Sequence, residues 1–322
     1  MNETDDSPDS ITSNAEESVQ DDPVVQQRRV RSRARRTVVV RSRNAGQFLR
    51  RNPLPLVGGT IVAALGLVAI VGPIVVPYDP TAQNVGPQLQ PPTVAHPLGT
   101  DEFGRDLLAR VVHGARYSLG IGVLVTGIRV VLGTTFGLIA GYIGGWVDEG
   151  LMRLVDIQLA FPGLVLALVV AGILGPSLRN VMIALAFVGW STYARVVRGK
   201  VLSVKEREFV AASRLVGTPR WRIARRHLLP SVVDQVLVLA TLNIGTVVLA
   251  TAGLSFIGLG AQPPTPEWGT MLASGRHYLR TAWWLVNVPG AAIVLTVLGF
   301  NLLGEGLRDV LDPHLQTRVE EV

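Results

Sequence analysis

Leu54 to Val76 runs for 23 residues without a charged side chain. As an α-helix it spans roughly 34 Å, enough to cross the hydrocarbon of a bilayer. Pro73 and Pro77 mark its far end. Comparable runs recur along the chain, and they, rather than one large soluble core, account for an apolar share of 48% against 17% charged residues. A soluble domain carries about a quarter charged residues. The mean hydropathy is +0.37. The chain therefore reads as an all-α polytopic membrane protein, not a soluble enzyme.

Six spans follow from the runs. After Leu54–Val76, the second begins near Tyr117 and ends near Gly145, interrupted by Arg129. The third, Ile157 to Leu178, is uncharged but broken by Pro162 and Pro176. The uncharged run from Asn180 to Ala194 is short, and becomes a fourth span if Leu178 to Val197 is taken. Arg179 and Arg195 then snorkel to opposite surfaces. The fifth starts around Pro230, with Gly258 to Pro266 already a loop, and Thr281 to Leu303 make the sixth. The predicted organisation is a disordered and basic N-terminal segment over 1–52, a first span over 53–77, an extracytoplasmic segment over 78–116, a five-helix core over 117–305 and a tail over 306–322. Within 78–116, Arg105 to Arg116 is expected as a short helix lying at the surface. Asp148, Glu149 and Arg153 mark a short turn between spans, and residues 261–280 read as a polar outside loop.

Charge sets the orientation. Ten of the 30 Lys and Arg lie between Arg28 and Arg51, and ten between Arg195 and Arg226. Basic blocks beside apolar runs belong on the cytoplasmic side. An even number of spans puts both blocks and both termini there, in a multi-pass protein of the cell membrane. Residues 1–27 hold eight acids and no aromatic residue, a composition that builds no core. The Arg-rich 28–52 segment suits anionic lipid head groups. The polar composition of the residues before the first span does not suggest a cleavable leader. The net charge of +6 is accounted for by this topology, and nucleic acid is not an expected partner.

Reactive chemistry is not legible. The chain has no cysteine, which removes disulfides and thiolate sites. It has no GxxxxGK[ST] loop and no HExxH pair, and its five histidines are dispersed. Ser255, in GLSFIGLG, is not a nucleophile elbow. No catalytic, cofactor-binding or metal-binding residue is assigned. Two other patterns stand out. Gly133, Gly137, Gly141 and Gly145 recur every four residues in the second span and predict a face of close helix packing, with a gate element as the alternative. The polar stretch 199–229 reads as two short helices, Lys205–Leu215 and Pro219–Leu229, separated by Gly217–Thr218, with Pro219 suited to a helix start.

The run Glu208–Phe–Val–Ala–Ala–Ser–Arg–Leu–Val–Gly217, followed by Arg226–His–Leu–Leu–Pro230, resembles the cytoplasmic loop signature of ABC-type importer permeases. In that family an acidic-Ala-Ala triplet is followed by Gly and, after eleven intervening residues, by Leu-Pro. Gly217, Leu229 and Pro230 keep that spacing. The triplet falls on Ala211, Ala212 and Ser213, so its acid is missing. HPLGTDEFGRDLLARVVHGAR, GYIGGWVDEGLMRLVDIQLAFPGLVLA, LSFIGLGAQPPTPEWGTML and FNLLGEGLRDVLDPHLQ narrow the resemblance to the C-type permease subunit of the dipeptide/oligopeptide/nickel group. These stretches extend from His96 to Gln316.

The resemblance implies a type I importer transmembrane domain forming half of a translocation path for dipeptides or oligopeptides. It implies a second permease subunit, two ATP-binding subunits that carry ATP and Mg, and an extracytoplasmic solute-binding protein as partners, besides membrane lipid. This chain would hold no cofactor and catalyse no reaction itself. Loop 199–229, with Glu208, Ala211, Ala212, Ser213, Gly217, Leu229 and Pro230, would be the coupling element that docks on an ATPase. Import of nickel or another small solute is the alternative within the family. A secondary transporter is the alternative outside it, for which an inverted repeat and more buried carboxylates are expected.

Overall fold

The computed structural model describes residues 53–311, so the expected 1–52 segment and the tail beyond Leu311 lie outside the described residues. Ten α-helices run in order: α1 Pro53–Val75, α2 Leu107–Ile143, α3 Gly145–Leu159, α4 Gly163–Leu174, α5 Leu178–Lys205, α6 Glu208–Leu215, α7 Arg220–Ile223, α8 Leu229–Phe256, α9 Trp268–Gly275 and α10 Trp284–Leu311. Among the described residues the sole β pairing is an isolated bridge between Thr100 and Asp106. Five helices are long and apolar enough to cross a membrane, counting Arg220–Phe256 as one; α3 and α4, bent by 89° at their junction, make a sixth when taken together as one span.

α2 is where expectation and structure part first. Arg105–Arg116 is not a surface helix. Nothing between Arg116 and Tyr117 breaks a helix, so α2 starts at Leu107 and runs unbroken through the second span for 37 residues. Asp106 caps it, accepting from the Ala109 N–H at 2.7 Å. Arg105 and Arg110 are buried, with Arg105 bonded to Asp101 at 2.6 Å and Arg110 3.4 Å from the same carboxylate. Burying a guanidinium is costly unless it is paired or hydrogen-bonded, and for these two the 78–106 segment supplies the carboxylate. The helix ends where Gly144 and Gly145 both take positive φ, 74° and 57°, a conformation that favours glycine.

The third crossing also differs from a simple span. α3 already begins at Gly145, so Asp148, Glu149 and Arg153 sit on a helix rather than in a turn. Pro162 has no N–H to give and disfavours helical backbone at Phe161, and the chain bends there before α4. Two ion pairs tie α3 to α5: Asp148 accepts from Arg198 at 2.5 and 2.6 Å, and Asp156 pairs with Arg195. The fourth crossing is a full helix of 28 residues, and its short uncharged middle is flanked by helical turns at both ends.

The segment 261–280 is not a plain polar loop. Glu267, 1% exposed, caps α9 by accepting from the N–H groups of Gly269 and Thr270 at 3.0 Å each. Trp268 and Met271 are buried with Leu107, Val248 and Trp284. The Trp268 indole donates to Val111 O and that of Trp284 to Thr100 O, so the 78–106 segment and α9 close the same end of the bundle. Finally, α10 continues to Leu311, past the expected tail boundary at 306.

Candidate functional site

The opposite end of the bundle carries the loop that the sequence singled out. Helix α6 ends at Gly217 by a specific hydrogen-bond pattern. Gly217, at φ 75°, donates to Arg214 O at 3.0 Å, and Thr218 N–H donates to Ser213 O at 3.1 Å. This pair of reverse bonds satisfies carbonyls left free at a helix end, and it needs a left-handed residue where they meet. A side chain at Gly217 would meet no atom within 4 Å. The glycine is therefore required by backbone conformation alone and not by crowding. Pro219, at φ −65°, precedes α7 and accepts from Arg222 and Ile223.

α7 does not stop before the fifth crossing. Residues Ala224–Leu228 form one wide π turn, in which Leu229 N–H reaches back to Ala224 O, and α8 follows without interruption. Pro230 cannot donate, and in a straight helix its ring would collide with the carbonyl four residues earlier. A widened turn removes that collision. Leu229 and Pro230 thus lie inside a continuous rod from Arg220 to Phe256, rather than at the start of a separate span as expected.

Three buried side chains root the loop. Val210 of α6, Ile223 of α7 and Leu228 of the π turn pack with Val197, Val201 and Val204 of α5 and Val232 of α8. Ser213 bridges the two halves, donating to Phe209 O at 2.8 Å and lying 3.4 Å from His227 Nε2. The Phe209 and His227 rings meet at 5.6 Å, tilted by 55°. Glu208 sits exposed in the first turn of α6, where a carboxylate suits the helix dipole. Ala211 and Ala212 are exposed. Ala211 stands where the family carries an acid.

The residues that the fold presents most openly are not among those the family motif specifies. Leu215 and Val216 are 89% and 80% exposed at the tip before Gly217, and Trp221 is 62% exposed just beyond it. Around them Arg220, Arg222, Arg225 and Arg226 are exposed, and among the described residues none of the four pairs with a carboxylate. A usable signal was present: two adjacent large apolar residues directly before a turn glycine in a polar loop. The result is a basic, apolar-tipped projection whose roots pack between α5 and α8.

The residues of α5 that root this projection also meet the glycine face of α2. Gly133, Gly137 and Gly141 pack against α5, where a Cβ on Gly137 would lie 2.5 Å from Ala194 O and 2.8 Å from Val197 Cβ, and one on Gly141 2.9 Å from Val201 Cβ. Gly145 does not belong to this face. It is exposed, with nothing within 4 Å of a Cβ, because α2 has ended two residues earlier. Above the seam Arg129 crosses from α2 to α5 and donates Nε and Nη2 to Leu185 O at 2.9 and 2.6 Å. It lies over Gly189, where any side chain would overlap the guanidinium.

Comparison with known proteins places these features. Residues 133–317 match the family described as binding-protein-dependent transport system inner membrane component, and residues 42–92 match the N-terminal TM domain of oligopeptide transport permease C. The chain is 44% identical over 281 residues to the dipeptide transport system permease protein of Alkalihalophilus pseudofirmus, covering 87% of this chain and 92% of that one. It is 44% identical over 257 residues to the nickel transport system permease protein of Escherichia coli K12, covering 80% and 93%. Among solved structures, a chain of the inward-facing MetNI methionine ABC transporter superposes with a TM-score of 0.51 at 18% identity, over 63% of this chain and 96% of that one. At that identity the likeness speaks to the fold alone.

Proposed function

The chain belongs to the family of inner membrane components of binding-protein-dependent transport systems, and from that premise we propose that it is a permease subunit importing short peptides. A second permease completes its path, two ATP-binding subunits drive it, and an extracytoplasmic binding protein delivers the solute. Hydrolysis takes place on the partners, with ATP and Mg bound there. The basic 195–226 block favours placing the loop end, and both termini, in the cytoplasm.

The observation that carries the mechanism is the projection at Leu215–Val216–Gly217, rooted by Val210, Ile223 and Leu228 between α5 and α8. Docked on an ATPase, the tip follows its closure. Because the roots are packed rather than hinged, motion of α6 is passed to Val197 and Val201. Those residues face Gly137 and Gly141 of α2. Two arrangements of this seam suffice for a path open first to one side and then to the other. Glu208, Ala211, Ala212, Ser213, Leu229 and Pro230 belong to the same lever by position, and Gly217 sets its angle.

The peptide reading is supported by the similarity to a dipeptide permease over nearly the full length of both chains. The nickel permease similarity favours a second reading, import of a metal ion. Uptake by the intact complex in proteoliposomes, with labelled dialanine and with ⁶³Ni²⁺ in parallel, separates them. Peptide accumulation dependent on ATP and on the binding protein is the expected result. Accumulation of nickel alone would replace the peptide reading.

A further inference from the structure

The bend between α3 and α4 packs against the middle of α5. Gln158 Nε2 donates to Phe187 O at 2.6 Å, and a Cβ on Gly163 would touch Val188 at 3.5 Å. Phe187 and Val188 are at the centre of the uncharged stretch of α5 between Arg179 and Arg195, so both sides of the break sit at that depth. The helical hydrogen bonds end with Ala160 N–H on Asp156 O and resume with Leu166 N–H on Pro162 O. The last carbonyls of α3 and the first N–H groups of α4 fall in the gap, where helix geometry leaves them without partners. Gln158 adds a further acceptor: the residue is 8% exposed, and its Oε1 has no hydrogen-bond partner. Yet Phe161 and Leu164 are 56% and 58% exposed. Hydrocarbon does not tolerate free backbone polar groups, and irregular backbone at this depth survives only within protein or along a water-filled cavity.

We propose that the α3–α4 break lines the translocation path, and that its free backbone groups and Gln158 form a contact site for the main chain of a peptide in transit. The contact-site half rests on the peptide reading above. The chemistry is complementary: the break offers carbonyl and amide oxygens from one half-helix and N–H groups from the other. A short peptide brings ammonium and amide N–H donors together with carbonyl and carboxylate acceptors. Neither lipid nor an apolar helix of the second permease would satisfy that mixture.

The chain has no cysteine, so Phe161→Cys and Leu164→Cys are examined singly in the complete complex in membranes. A positively charged methanethiosulfonate reagent is added to both sides, and modification of this chain is read by mass. Both positions are expected to react, whereas Ile70→Cys, exposed on α1, stays unmodified in lipid. Dialanine-loaded binding protein with ATP is expected to abolish the reaction at Phe161→Cys, and adding Gln158→Leu to abolish that protection while leaving the reactivity. Unreactive Phe161→Cys and Leu164→Cys, with Gln262→Cys labelled as an exposed control, would mean that lipid or the second permease covers the break, and the proposal fails. Reactivity without protection, in a complex that imports dialanine normally, overturns the contact site alone. If the cysteine-free complex imports no peptide, the peptide reading falls and takes the contact site with it. The reactivity of the two positions still decides whether the break faces water.

Discussion

At Gly137 a methyl group would stand 2.5 Å from the Ala194 carbonyl oxygen, a distance no packing adjustment of a side chain relieves, because the obstacle is backbone. Gly137→Leu therefore forces α2 away from α5. Overpacking of this kind costs about 1–3 kcal/mol, and thermal unfolding in detergent should show a lowered midpoint. Thr135 is exposed, and Thr135→Leu should shift stability by no more than about 0.5 kcal/mol. Equal tolerance of both would mean that the glycine stripe is not a packing face. Gly189 makes the same point with a charge attached. Gly189→Ala would push the Arg129 guanidinium off Leu185 O, leaving a buried cation without its acceptor. It should unfold at a lower temperature than Gly172→Ala, where a Cβ meets nothing within 4 Å. The four-residue spacing made three of the four glycines legible in sequence. Gly145 was misread because spacing carries no record of where a helix stops, and here two successive glycines at positive φ stop it.

Among elements, the ion pairs between α3 and α5 carry a prediction of their own. Asp148 accepts two hydrogen bonds from the Arg198 fork at 2.5 and 2.6 Å, and Arg198 lies on the stretch of α5 that leads into α6. Such a partly exposed pair contributes about 1 kcal/mol at most, so its effect should appear in coupling more than in stability. Asp148→Arg and Arg198→Asp should each lower transport per ATP hydrolysed, and the double exchange should restore much of it. No recovery in the double exchange would argue that the two helices are not linked through this pair. The elements also show what a sequence hides. The first span and the α6–Gly217 turn were legible because charge and glycine act locally. The continuity of α2 through Arg116 was not, because Arg105 and Arg110 signal a surface until Asp101 is seen folded onto them. Likewise α9 is buried by Trp268 and capped by Glu267, contacts that a polar composition disguises. Pro162 was legible as a break in the third span, but the size of that break, a bend of 89°, was not. Pro230 was read as a helix start when a π turn lets the helix pass through it.

In the whole molecule, orientation and mechanism depend on each other. With six crossings, single cysteines replacing Gln20, Gly199 and Gln316 should react with an impermeant reagent only from the cytoplasmic side, and one replacing Gln262 only from outside. Labelling of the Gln316 position from outside would remove one crossing and invert the tail. The mechanism places energy transfer in residues 206–230, between helices that meet the glycine seam. Gly217→Val tests it without disturbing neighbours, since the side chain enters open space and acts only through the left-handed backbone it disfavours, by about 1–2 kcal/mol. Arg220→Ala and Arg222→Ala lower the basic charge while leaving that turn intact, and Ala211→Glu restores the family's acid. Transport and ATP hydrolysis are measured on the same proteoliposome sample of the assembled complex, for the parent and for Gly217→Val. The account predicts normal insertion and binding-protein recognition, with a marked fall in solute moved per ATP hydrolysed or loss of ATPase docking. An unchanged ratio at normal turnover in Gly217→Val would contradict it.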